Sequence, residues 1–82
     1  MPVFTATDAP LLAGRHDGVV AEFDAFVGLG YISAANSDKY LFHCIEIADG
    51  SRDIPVGCAV SFETVERFHR AEACRIVKCE RL

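Results

Sequence analysis

From Gly18 onward, short runs of β-branched and aromatic residues alternate with turn-forming residues. Five such runs stand out, at 19–24, 29–33, 39–44, 58–66 and 72–78. Their lengths and spacing predict strands. The second run is the most informative, because Gly28-Leu29-Gly30-Tyr31-Ile32 alternates glycine with bulk. Glycine at every other position of a strand admits close approach on one side, while the residues between point to the other. The third run, Tyr40-Leu41-Phe42-His43, ends in an imidazole that strand pairing would set beside Tyr31, giving a flat surface for planar ligands.

The connections suggest how these strands are joined. Ala34-Ala35-Asn36-Ser37-Asp38 is a polar hairpin loop of ordinary length, and the first two connections are short enough for antiparallel neighbours. A longer link, 46–57, carries Asp49-Gly50 and Pro55; it is suited to crossing one end of a barrel, with a 3₁₀ turn near 44–47. Within 61–77, Phe62, Val65, Glu66 and His69 have partly helical spacing, whereas Phe62, Thr64 and Glu66 fit a strand. The surrounding β pattern decides for the strand. Three strands in a meander and two after a crossover predict an all-β fold, a five-stranded antiparallel Greek-key β-barrel of the OB type. Residues 1–17, which include Pro2, Pro10 and Gly14, are expected to form an N-terminal arm, disordered or with one short strand, ahead of a domain at 18–82.

Length and charge narrow the function. A chain of 82 residues makes one domain, burying roughly 60% of the surface its unfolded form exposes, which leaves little room for a catalytic cleft. The net charge of −4 argues against coating duplex DNA by bulk electrostatics. The charge is unevenly spread: residues 1–66 hold three bases against ten acids, and residues 67–82 hold five against two. Arg67, Arg70, Arg75 and Arg81 are therefore candidate phosphate contacts, with Arg15, His16 and Arg52 as further bases.

The four cysteines, Cys44, Cys58, Cys74 and Cys79, follow no segment that reads as a secretory leader, and no apolar run is long enough for a membrane span. Free thiols in the cytoplasm are expected. Cys58, Cys74, Cys79 and His69 lack the close spacing of a zinc site, and His43-Cys44 has no acidic orienter nearby in sequence. Glu46, Asp49 and Asp53 read as a solvated acidic loop. Neither enzyme activity, a cofactor nor a metal is expected.

The order of residues resembles the cold-shock domain family, whose members read G-x-V-K-W-F-N-x-x-K-G-F-G-F-I, then V-F-V-H-F-S-A-I, then E-G-x-x-V-S-F. This chain reads GVVAEFDAFVGLGYI from Gly18, YLFHCIEI from Tyr40 and PVGCAVSFE from Pro55, and the resemblance covers about 18–77. It implies an OB-type barrel whose first three strands stack single-stranded bases on exposed aromatics flanked by lysines. The face departs from the family's pattern: Ala21 and Val27 stand where the family has Lys, Glu22 where it has Trp, and Leu29, Leu41 and Cys44 where it has Phe. Phe23, Tyr31 and His43 keep stacking chemistry, and Phe26 is an added aromatic. The family's core positions stay apolar at Val20, Ile32, Tyr40, Phe42, Ile47 and Val60.

The resemblance thus implies a cold-shock-like protein that binds single-stranded RNA or DNA weakly or in restricted contexts, through Phe23, Phe26, Tyr31, His43, Arg52 and Arg70. Each stacked base contributes about 1–3 kcal/mol, so lost platforms weaken binding steeply. The alternative is a protein-interaction or dimerisation module, a homodimer or protein partner meeting an apolar face at Leu29 and Leu41 beside Val27, Phe26 and Glu22.

Overall fold

The computed structural model describes residues 10–67 and 70–79. Five strands, β1 (His16–Asp24), β2 (Leu29–Ala34), β3 (Lys39–His43), β4 (Ala59–Arg67) and β5 (Arg70–Lys78), close into a barrel in the order β1-β2-β3-β5-β4. A 3₁₀ turn at Cys44–Glu46 follows β3, where the long link begins. The helical alternative for 61–77 gives way to an antiparallel pair, β4 and β5, in register from Val60↔Lys78 to Arg67↔Arg70. One amendment to the antiparallel expectation is needed. Strand β3 meets β5 in parallel, at Leu41↔Glu72, as closure of the Greek key requires.

Period-two alternation sends Val20, Ile32, Tyr40, Phe42, Val60, Phe62 and Ile76 inward, and Ile47 and Ile54 from the crossover link join them. Gly30 is small out of necessity, since a Cβ there would lie 2.5 Å from the Glu22 carbonyl and 2.7 Å from the Phe42 ring. Gly28 turns the chain between β1 and β2 with φ 81°, and Asp24 Oδ1 accepts from the Phe26 and Val27 amides at 3.0 and 3.2 Å.

Strand β1 starts at His16, three residues before the expected run. The segment ahead of it is tied to the barrel: Thr64 Oγ1 accepts from the Leu12 amide (2.7 Å) and donates to its carbonyl (2.9 Å), and the Tyr40 hydroxyl donates to the Pro10 carbonyl (2.7 Å). The Arg15 guanidinium reaches the Ser61 hydroxyl and carbonyl, the Glu63 carboxylate and the Arg75 carbonyl, at 2.8 to 3.0 Å. It thereby braces a bulge in the β4–β5 pairing, where Arg75 takes φ 49°. Among the described residues no helix is long and apolar enough to cross a membrane.

Candidate nucleic-acid interface

The outer faces of the strands come into register as rows. One row crosses the barrel wall from Glu22 to Tyr31, Leu41, Glu72 and Val65. The next joins Asp24, Leu29 and His43. Tyr31 and His43 thus share one face on adjacent strands, as the glycine-spaced run predicts.

Their exposure differs. The His43 side chain is 43% exposed, whereas Tyr31 is 5% exposed and Leu41 beside it 6%. His43 is therefore open on the expected face, whereas Tyr31 is on that face but covered. Covering Leu41 also removes the centre of the apolar docking patch drawn from Leu29 and Leu41, because a buried side chain offers a partner nothing. Leu29 is half-buried, and Val27 is exposed in the turn.

Phe23 faces the other way. Pairing runs Val20↔Ile32 and then Glu22↔Tyr31, so Ala21 is an extra residue, a β-bulge. That insertion sends Glu22 outward and Phe23 inward, opposite Gly30, where its ring stacks on Phe42 with centroids 5.8 Å apart and planes 5° from parallel. The reading of Phe23 as an outer-face platform is corrected accordingly: one side of its ring is taken up by the core, and the residue is half-buried. Phe26, in contrast, sits in the β1–β2 turn and is 98% exposed. A ring that open is available for stacking, adjoining the face at the end of β1.

The two arginines assigned to the face lie apart. Arg52 is exposed in the crossover link. Arg70 opens β5, two residues from Glu72 and opposite Arg67, with a buried Nε that has no hydrogen-bond partner among the described residues. Other bases are engaged by acids: Arg15 and Arg75 with Glu63 (3.0 and 3.6 Å), and Lys78 with Asp49 (2.9 Å). The hydrogen bond from Lys78 holds the Asp49 carboxyl down at about 2, with the Ser51 amide assisting.

Sequence reasoning missed an ion-pair chain at one edge of the face. Glu72, 2% exposed, places Oε1 3.6 Å from His43 Nε2 and 3.8 Å from Arg67 Nη1, and Arg67 Nη2 donates to Glu46 Oε2 at 3.0 Å. Ala71-Glu72-Ala73 reads locally as an exposed acid between two core alanines. Only the β3–β5 closure shows that this acid is enclosed. The Cys74 thiol nearby is pushed up by burial and by the Glu46 and Glu63 carboxylates, so it stays protonated and poorly nucleophilic.

All four cysteines are free, and among the described residues no cluster of three or more His, Cys, Asp or Glu converges on a metal position. His69, one member of the zinc reading, lies outside the described residues, as does Arg81.

A closed five-stranded Greek-key barrel with a glycine-spaced second strand, carrying its aromatic and imidazole groups on the outer wall of β2 and β3, belongs to the OB class of binding folds. Within that class the structure is similar to cold-shock domains: it matches drosophila Unr CSD456 with a TM-score of 0.70 and 26% identity, over 82% of this chain and 27% of that one. No family model and no curated protein matches the chain.

Proposed function

We propose that this chain binds single-stranded RNA or DNA, weakly, on the outer face of β1 to β3. The observation carrying this reading is the placement of Tyr31 and His43 on adjacent strands of one face, in a barrel similar to a cold-shock domain. His43 and Phe26 supply the open stacking groups, and exposed Lys39 adds a cation at the start of β3. Affinity is low because Glu22 repels phosphate at the edge, Tyr31 is covered and several bases are engaged by acids. The salt dependence is correspondingly shallow, since few phosphates are neutralised.

The test is a titration of a fluorescent mixed-sequence oligonucleotide at low salt against the parent and against His43→Ala, Phe26→Ala and Tyr31→Ala. Losing a stacked ring removes about 1–3 kcal/mol, so the first two variants should bind roughly 5- to 150-fold more weakly. Equal affinities throughout, or no binding by the parent at millimolar protein, would sink the proposal. The protein proposed is a binding protein without catalytic activity, in the cytoplasm, where its thiols stay reduced. A second copy or protein partner, as the alternative, would need to dock on Phe26, Val27 and Leu29 without help from Leu41. Sedimentation showing a clean monomer counts against a self-associating form.

A further inference from the structure

The barrel is weakest where β3 meets β5. Among the described residues that seam has one register pair, Leu41↔Glu72, while β4 and β5 share pairs from Val60 to Arg67. Beyond it lie the isolated bridge Ile47↔Ile76 and a hydrogen bond from the Ala48 amide to the Ile76 carbonyl at 2.7 Å. Charged side chains reinforce what the backbone leaves loose. Glu46, in the 3₁₀ turn that continues β3, accepts from Arg67 Nη2 of β4 at 3.0 Å and from the Arg75 amide of β5 at 3.4 Å. The same Arg67 reaches Glu72 Oε1 of β5 at 3.8 Å, and His43 of β3 approaches that oxygen at 3.6 Å.

The covered row Tyr31–Leu41 runs straight into this seam. Among the described residues Glu72 Oε1 is buried without a hydrogen bond, so its long ion pairs are its compensation, and enclosing such a carboxylate is costly. An arrangement held by charge at a site of weak backbone pairing is one that a competing anion can undo.

We propose that Glu46 is a clamp: its hold on Arg67 keeps the β3–β5 seam shut and the Tyr31–Leu41 row covered, and a nucleic-acid phosphate releases it by taking the Arg67 guanidinium. Guanidinium pairs with phosphate as readily as with carboxylate, so the exchange conserves the charge-assisted bonds. Release has two effects on one ligand. It uncovers the row that meets bases, and it turns a paired arginine into a phosphate contact. The second half of this inference rests on the nucleic-acid reading of the face.

The test compares Glu46→Gln with Glu63→Gln. Each removes one negative charge and breaks acid–arginine pairing, but Glu63 holds Arg15 and Arg75 and, among the described residues, makes no ion pair with Arg67. The chain has two tyrosines and no tryptophan, so in a Tyr40→Phe background the tyrosine fluorescence comes from Tyr31 alone. Acrylamide quenching of that emission should rise about twofold or more in Glu46→Gln and stay at the parent level in Glu63→Gln. Oligonucleotide affinity should rise about tenfold in Glu46→Gln, corresponding to about 1.4 kcal/mol, and clearly less in Glu63→Gln. Arg67→Gln breaks the same bond from β4 and should also raise quenching, while losing the phosphate contact and with it the gain in affinity; it serves if Glu46→Gln fails to fold. Parent-level quenching in the folded clamp variants, or equal gains in affinity for Glu46→Gln and Glu63→Gln, would overturn the clamp. Raised quenching with no binding by any variant supports the clamp and overturns the nucleic-acid reading instead.

Discussion

Strands β2 and β3 are buried on both sides, and the two sides are buried by different means. Inward, Ile32, Tyr40 and Phe42 are wholly enclosed by apolar neighbours from every strand of the barrel. Outward, Tyr31 and Leu41 are almost as covered, yet their row ends in a buried carboxylate held by an arginine and an imidazole. Packing has no single point of failure, because dispersion and desolvation are shared among many contacts. The charged seam does, because it depends on a few ion pairs across one weak joint.

The sharpest way to break this comparison is to truncate one residue on each side. Phe42→Ala should cost about 3–5 kcal/mol, enough to leave a domain of this size largely unfolded. Leu41→Ala, though it also removes a covered side chain, should cost nearer 2 kcal/mol, the low end for a leucine, if the outer cover yields. Urea unfolding of both variants measures the difference, and equal losses would show that the outer side is packed like the inner one.

Crowding on the inner side can be probed by addition. Gly30→Ala puts a Cβ against the Glu22 carbonyl and the Phe42 ring, and the carbonyl belongs to backbone that has little freedom to withdraw. A loss of about 1–3 kcal/mol in thermal or urea unfolding is expected.

The smallest effect belongs to an exposed charge pair. Asp49 has its carboxyl lowered from 3.8 to about 2 by the hydrogen bond from Lys78. A depressed carboxyl stabilises the fold above its unfolded value, and that contribution disappears as the pH falls through the folded one. Stability should therefore drop between pH 4 and pH 2 by slightly more in the parent than in Asp49→Asn. Superimposable acid profiles would show that this exposed pair contributes nothing, as surface pairs often do.

The same contrast explains what could be read from the chain. Val20, Ile32, Tyr40, Phe42, Ile47 and Val60 announce themselves because burial by packing demands apolar residues at a fixed period, and all six lie in the core. The glycine-spaced strand was equally readable, since Gly30 answers a steric demand local to β1 and β3. The ion-pair chain beside the Tyr31–Leu41 row was not. It joins Glu46, Arg67 and Glu72, separated by up to 26 positions, and each looks like an ordinary surface charge in its own neighbourhood. Phe23 was misplaced for a different reason. A bulge adds a residue without any compositional mark, and Ala21 is as acceptable in a regular strand as in an irregular one.

That bulge makes the pairing of β1 as consequential as its composition. Ala21 works as a parity bit: because it is spare, Glu22 keeps the outward address opposite Tyr31 and Phe23 the inward one opposite Gly30, and drawing Ala21 into the ladder would drive the Glu22 carboxylate toward Phe42 and turn the Phe23 ring out to water. Deleting Ala21 would regularise the strand and leave both addresses as they are, whereas losing the bulge with the residue kept would rewrite inside and outside for the rest of the strand.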